Sequence, residues 1–475
     1  MPHMLLLDID GLRYDVFQQA LESNAIPNIQ KVFHRSGHIQ ALPLISTAPS
    51  ITFCAQASIF TGAPPNQHGI AGNQFFDRFG TLQGKPRLFA FDIGDLMDFE
   101  DAVLVFSKGL ASNCLQVPTI YEILQSHGFS SVVVGNMYAR GADQWIKPSL
   151  VDLARLTKGN TLIGISAPDY DGKLLENTKA YLEKKGLPNL LTYYLKGLDD
   201  ESHRQGIESQ LGYLTGIVDP QIGELWDYLS ETFPEEIKDL EVLLFSDHGQ
   251  INVVPDEKHS VRMAFPFQNE FADLFEYLGF DLTDYPGEGP RSNAVIALDG
   301  GLAHVYLRKP EAEWAAPPLF EQDVIRTAKA FWQASLHGAH APNLQGSLDS
   351  ILVRNAEKDG WSAPYQAITP EGDLLPLEEW AAGQVASGKA VDPLRRLSQL
   401  AGPYSGDLLL IANYAEGFFF SPILKGVHGG IHPEDSTGIL AANLSTSLQG
   451  IQQSKEGELL SLTDIASLVY TYFGI

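Results

Sequence analysis

The chain has 475 residues, 44% of them hydrophobic, and carries 32 basic against 58 acidic side chains for a formal net charge of −26. That apolar content is enough for a real core, which excludes a disordered chain. So acidic a protein, with no cluster of Lys and Arg, is a poor partner for a nucleic acid polymer or an anionic membrane. Its two cysteines, Cys54 and Cys114, are too few for a disulfide framework, and no run reaches the ~18 apolar residues of a membrane span. The start MPHMLLLDIDG leads straight into a strand pattern without the marks of a signal peptide. The expectation is a soluble, reduced, cytoplasmic protein.

Met4 to Ile9 is a continuous apolar run that ends in Asp10-Gly11, the pattern of a buried strand with a carboxylate at its C-terminal tip. Tyr14 to Phe33 has helical spacing interrupted at Pro27. Ser46 to Asn73 is dense in hydroxyls, low in charge and rich in Gly and Pro toward its end. It predicts a loop, a short helix around Phe53 to Phe60 and a turn-rich exit. Ser46, Thr47, Ser50, Thr52, Ser58 and Thr61 are its candidate nucleophiles, and none is reactive near neutral pH unless a base or a metal lowers its pKa.

Pro118 to Gly128 reads as a helix with proline in its first turn and glycine at its end, feeding the β-branched run Ser130 to Val134. Strand–helix–strand alternation predicts an α/β fold with a largely parallel sheet covered by helices on both faces. Asp199 and His203 stand four apart and share a face of any helix; taken alone, the pair is most simply a solvated contact. The following stretch to Tyr228 reads as a long helix broken near Pro220. Val242 to Gly249, VLLFSDHG, is a second apolar strand running out into Asp247-His248. In open α/β sheets ligands bind at the carboxyl ends of strands, so the two tips point acids and an imidazole into one crevice.

From about Ile251 to Ser405 the texture changes to short polar runs with frequent Pro and Gly, strand candidates at Ala294 to Leu298 and Ala303 to Leu307, and a helix near Val324 to Ala334. Residues 251–405 are expected to form an inserted α+β cap, with 1–250 and 406–475 as the catalytic core. His304, His337 and His340 in the cap read as structural or surface residues. A strand pattern returns at Asp407 to Ala412, followed by KGVHGGIHP, in which glycines around His428 leave its backbone free to bend, and by a closing helix in Leu459 to Phe473.

Collected, Asp10, Asp199, His203, Asp247, His248 and His428, with one hydroxyl near position 52, are the ligand chemistry of zinc or a similar divalent ion. Two such ions ~4 Å apart would hold the attacking and leaving oxygens of an in-line phosphoryl displacement.

The order and local texture of these pieces resemble the alkaline phosphatase superfamily, and within it the type I phosphodiesterase/nucleotide pyrophosphatase family, related to phosphonoacetate hydrolases. The matching pieces are LLLDIDGLR, a threonine six residues before SIFTG, APPNQHGIAGN, D-x-x-x-H at Asp199 and His203, SDHG, and GVHGG. The resemblance implies a three-layer α/β/α sandwich and Thr52 as the nucleophile that forms a covalent phospho-enzyme. It implies one metal held by Asp10, Asp247, His248 and the Thr52 oxygen, and another held by Asp199, His203 and His428. Two divalent ions are expected; three imidazoles favour zinc, and the carboxylates are compatible with manganese. The substrate implied is a small phosphodiester or nucleotide pyrophosphate, with a phosphonate, a phosphomonoester or a non-catalytic phospho-ligand as the alternatives.

The sequence departs from the family in one respect. An asparagine three residues after the threonine is replaced by Ala55, so Gln56, Asn73 or a backbone N–H must supply the donor to a phosphoryl oxygen. His68 is expected to fix a turn by hydrogen bonding. His432 and Asp435 read as surface turn residues. Cys54 raises the sulfatase pattern, but that pattern needs Pro and Arg where Gln56 and Ser58 stand.

Overall fold

The apolar runs do become strands buried on both faces, because alternate side chains find a separate core on each side. In the computed structural model, Leu6, Val133, Leu243 and Phe245 pack on one face with Phe60, Tyr121 and Val469. Leu5, Leu7, Ile9, Leu191 and Leu244 pack on the other with Phe17, Leu174 and Leu225. The structure describes residues 2–33, 39–92, 99–156, 164–263, 270–282, 288–443, 445–455 and 457–475.

The central sheet has seven strands in the order Ala41–Ile45, Thr437–Ala442, Glu241–Phe245, Met4–Ile9, Leu190–Leu195, Ser131–Val134 and Gln144–Ile146. The last five are mutually parallel. Thr437–Ala442 runs antiparallel to both of its neighbours, so Ala41–Ile45 again points the same way as the parallel strands. Three C-terminal tips from the centre, the exit of Ala41–Ile45 and the entry to Thr437–Ala442 therefore share one edge.

Local chemistry explains the helices. Ile120–Ser126 begins with a capping box in which Thr119 and Glu122 satisfy each other's backbone N–H. Pro27 opens Pro27–Phe33, so the expected helix divides into Tyr14–Glu22 and Pro27–Phe33. Near Pro220 the helix is not broken. A π-helical turn, Leu214–Val218, leads directly into Asp219–Thr232, and this widened turn just before Pro220 accommodates its ring and missing N–H.

A second, six-stranded antiparallel sheet is ordered Ala294–Asp299, Leu302–Leu307, Leu408–Ala412, Leu348–Arg354, Tyr365–Ile368 and Leu374–Pro376. Leu408–Ala412, expected to resume the core, pairs with Leu302–Leu307 and Leu348–Arg354. The excursion from the central sheet thus continues past residue 405, and the chain rejoins that sheet at Thr437–Ala442. Among the described residues no helix is long and apolar enough to cross a membrane.

Candidate active site

Each expected ligand sits at the shared edge for a topological reason. Asp10 follows Met4–Ile9 directly, Asp247 and His248 follow Glu241–Phe245, and Asp199 and His203 ride on Gly197–Gln205, the helix that follows Leu190–Leu195. His428 follows the short strand Gly426–Val427, which pairs with Ile251–Asn252. Thr52 is the first residue of Thr52–Thr61, a fully buried helix ended by Gly62 in the left-handed region.

The side chains gather into two groups, Asp10 with Asp247 and His248, and Asp199 with His203 and His428. His248 Nε2 lies 3.4 Å from Asp10 Oδ1 and 3.5 Å from Asp247 Oδ2. His203 Nε2 lies 3.3 Å from Asp199 Oδ2, and His428 Nε2 lies 3.6 Å from Asp199 Oδ1. The groups abut: the His248 and His428 rings stack with centroids 3.8 Å apart. Thr52 Oγ1 is 3.2 Å from His248 Nε2 and so belongs to the first group.

The ring nitrogens reveal what the site is built to receive. The Nδ1 atoms of His203, His248 and His428 face the carbonyls of Gly426, Gly249 and Ser50 at 2.8, 3.0 and 3.1 Å. A carbonyl only accepts, so each Nδ1 carries the hydrogen, and in the neutral imidazole this leaves the Nε2 lone pair turned toward the carboxylates. Lone pairs facing anions are unfavourable unless a cation lies between them, and a backbone carbonyl behind each imidazole is the usual support of a metal-binding histidine. Among the described residues Asp10 Oδ1 and Asp247 Oδ2 are buried without a hydrogen-bond partner, which is costly for carboxylate oxygens unless an ion takes them. The residues fit divalent metal ions.

Electrostatics agrees for Asp10 and His428, whereas Asp199, against burial, raises His203 above its ordinary imidazole value. Burial first, then the charges of Asp247 and Asp199, raise the pKa of Asp10 well above the usual carboxylate range, against the opposing hydrogen bond from the Tyr194 hydroxyl. Burial holds His428 well below the ordinary imidazole value, assisted by His248.

The two candidate phosphoryl donors part company. Asn73 lines the cleft beside Thr52, where its Oδ1 accepts the Phe53 N–H at 2.9 Å. Gln56 is fully buried one turn below Thr52, bound to Asp8 and Asn136, and is not among the residues that line the cleft. His68 accepts the Ile70 N–H on Nδ1 and faces Ser58 Oγ with Nε2, fixing its turn. Asp435, in contrast to its expected surface position, is buried; it accepts the Gly430 N–H at 2.7 Å and so braces the His428 loop. His304 is buried in the second sheet, and His340 stacks on Tyr277.

Four further residues shape the site. Tyr194 donates to Asp10, and Gln250 donates to Asp199. Arg396 is buried and donates to the carbonyls of Thr47, Gly430 and Ile431, tying the segment before Thr52 to the loop after His428. Lys196 lines the cleft 3.6 Å from Asp199. The cleft has a volume of about 410 Å³ and apolar walls that include Phe53, Phe91, Met137, Leu298 and Val427.

Comparison with known proteins adds the last observation. A family model described as type I phosphodiesterase / nucleotide pyrophosphatase matches residues 4–318. An uncharacterized pyrophosphatase/phosphodiesterase of Schizosaccharomyces pombe is 35% identical over 74 residues, 16% of this chain and only 14% of the length of that relative. In overall fold the chain is similar to murine ectonucleotide pyrophosphatase/phosphodiesterase 5, at TM-score 0.57 and 16% identity over 100% of this chain and 96% of that one; that structure is of an inactive threonine-to-alanine variant in complex with AMP. The human counterpart gives TM-score 0.56 at 16% identity, covering 100% of this chain and 95% of that one.

Proposed function

Because this chain belongs to the type I phosphodiesterase / nucleotide pyrophosphatase family, a family of phosphodiester and pyrophosphate hydrolases, we propose that it cleaves small phosphodiesters or nucleotide pyrophosphates with Thr52 as nucleophile. The observation that carries this reading is the contact between Thr52 Oγ1 and His248, which sets a hydroxyl against one of two adjoining acid–imidazole groups. Asp10, Asp247, His248 and Thr52 would hold one divalent ion, and Asp199, His203 and His428 another. Bound there, such ions supply Lewis-acid polarisation and charge neutralisation; three imidazoles favour zinc, and manganese suits the carboxylates.

The chain's own residues account for the rest. The Thr52–Thr61 helix fixes Oγ1 at the cleft floor, and Asn73, held against the Phe53 N–H, stands where its amide can bind a phosphoryl oxygen. Attack by Thr52 forms the P–Oγ1 bond as the bond to the leaving oxygen breaks and the hydroxyl proton passes to solvent; water then cleaves the phosphodiester formed on Thr52 and restores the hydroxyl. A related protein that is inactive with a threonine replaced by alanine, and that holds AMP, supports both the nucleophile and a nucleotide-sized substrate. The two thiols, Cys54 and Cys114, are free and buried, which supports a reduced, cytoplasmic setting.

The test is hydrolysis of bis-p-nitrophenyl phosphate against p-nitrophenyl phosphate after chelation and metal return. The diester should be cleaved faster, and Thr52→Ala should lower its turnover by about 10³-fold or more. A Thr52→Ala protein that keeps its rate removes Thr52 as nucleophile, and a preference for the monoester moves the substrate class to phosphomonoesters.

A further inference from the structure

Lys196 stands where helix electrostatics disfavours it. It immediately precedes the Gly197–Gln205 helix, at the end whose dipole is positive and repels cations, and its side chain is only 34% exposed. Its ammonium makes no hydrogen bond among the described residues; the carboxylate oxygen beside it is Asp199 Oδ2 at 3.6 Å, an oxygen that His203 Nε2 also approaches. Arg204 lines the same cleft, yet its guanidinium is committed to Asp200 and to the Leu156 carbonyl. A partly buried ammonium without a hydrogen bond is a group waiting for an anion.

Its side of the cleft says which anion. Thr52 touches the group of Asp10, Asp247 and His248, whereas Lys196 stands against Asp199 of the other group. In-line displacement at phosphorus puts the attacking and departing oxygens on opposite sides; with Thr52 as the attacking group, the contact of Lys196 with Asp199 assigns it to the side of the departing oxygen. We propose that Lys196 is the specificity residue by which this cleft reads negative charge on the leaving group. It favours substrates whose departing half carries phosphate over those whose departing half is an aryl or alkyl alcohol. The inference rests on the hydrolase reading with Thr52 as nucleophile. As the P–Oγ1 bond forms, the Thr52 hydroxyl proton passes to solvent, the electron pair of the breaking bond goes to the departing oxygen, and the ammonium offsets the charge that a departing phosphate brings and gains.

Two substrates that transfer the same thymidylyl group isolate the effect: thymidine 5′-triphosphate, which releases pyrophosphate, and thymidine 5′-(p-nitrophenyl phosphate), which releases p-nitrophenolate. In Lys196→Met the ratio of kcat/KM for the triphosphate to that for the aryl ester should fall about tenfold or more, the scale of one lost charge-assisted contact. Lys196→Arg should recover most of that ratio. Metal content, measured by elemental analysis, should match the wild type. An unchanged ratio, or a loss explained by depleted metal, overturns the proposal and leaves Lys196 as a support for Asp199. A metal-loaded wild type inert toward both compounds overturns the hydrolase reading, and this inference falls with it.

Discussion

The two sheets of this molecule are equally well buried, yet they contribute to the cleft in opposite ways. Glu241–Phe245, Met4–Ile9 and Leu190–Leu195 are parallel neighbours, and each runs out into an acid at the same edge. Among the described residues the antiparallel sheet delivers no candidate ligand there; its Ala294–Asp299 strand and the turn after it bring Leu298 and Gly300 to the cleft wall. Parallel strands concentrate their C-terminal tips and hence their chemistry, whereas a hairpin returns its chain and leaves only its turn at an edge. The turn itself sits backbone against backbone on the His428 loop. A Cβ on Gly300 would lie 1.8 Å from the His428 carbonyl oxygen, and one on Gly429 would lie 1.8 Å from that of Asp299. The lesson is a division of labour: strands of the first sheet lead into Asp10, Thr52, Asp199, His203, Asp247 and His248, whereas the excursion adds His428 on its return loop and otherwise sets their surroundings.

The strongest test of that division strikes the first sheet. Asp247→Asn keeps Oδ1, which accepts the N–H groups of Gly11 and His248, and replaces the unpartnered Oδ2 with an amide that cannot ligate. Diester hydrolysis should fall by about 10³-fold or more. The chelated variant should melt no lower than chelated wild type, since a buried unpaired charge has been removed. A lower melting point in the variant would mean that Asp247 is structural.

A smaller effect is expected from the excursion, and it sharpens the comparison by locating the seam. Arg396, on the Pro393–Leu400 helix, holds the Thr47 and Gly430 carbonyls together, so it governs the spacing of Thr52 and His428 without reaching either. Arg396→Lys cannot span the same carbonyls. Misplacement of about 1 Å should cost roughly 10- to 100-fold in kcat with little change in KM. A change confined to KM would instead make this helix part of the substrate wall.

What the sequence disclosed follows the same division. The central strands were legible because both faces are buried and their apolar runs are unbroken, and the candidate ligands Asp10, Asp247, His248 and His428 stood out because each follows such a run or sits among glycines, whereas Asp199 and His203 were singled out by the family resemblance. The sheet to which Leu408–Ala412 belongs was not legible, since LLLIA and EVLLF are the same kind of buried run and periodicity does not name a neighbour. Gln56 and Asn73 could not be separated because only the fold shows that a residue four beyond Thr52 lies one helical turn, ~5 Å, deeper, while residue 73 returns to the surface of the cleft. Arg396 and Lys196 carry no local pattern at all. The Thr47 and Gly430 carbonyls that Arg396 joins are distant in the chain, and although Asp199 is only three residues from Lys196, it takes the fold to show that this ammonium lines the cleft.

The smallest expected effect concerns how the first sheet holds its ligand helix. Asp171 is fully buried and accepts the Gly197 N–H at 3.2 Å and the Tyr213 hydroxyl at 3.1 Å, anchoring the start of the helix that carries Asp199 and His203. Burial, opposed by those two hydrogen bonds, raises its pKa from 3.8 to about 7. The folded state therefore binds this proton more tightly than the unfolded chain does. The stability it contributes is fully present below pH 3.8 and is lost as pH rises through about 7. At 1.36 kcal/mol per unit the ceiling is on the order of 4 kcal/mol, read as a few degrees in Tm for a chain of this size. Asp171→Asn keeps an acceptor for Gly197 and Tyr213 but cannot ionise, so its Tm relative to wild type should climb between pH 4.5 and 7.5, with both proteins chelated. If the difference is instead flat across that range, Asp171 is ionised throughout, and the anchor of the Asp199 helix is a charge rather than a neutral hydrogen-bonding group.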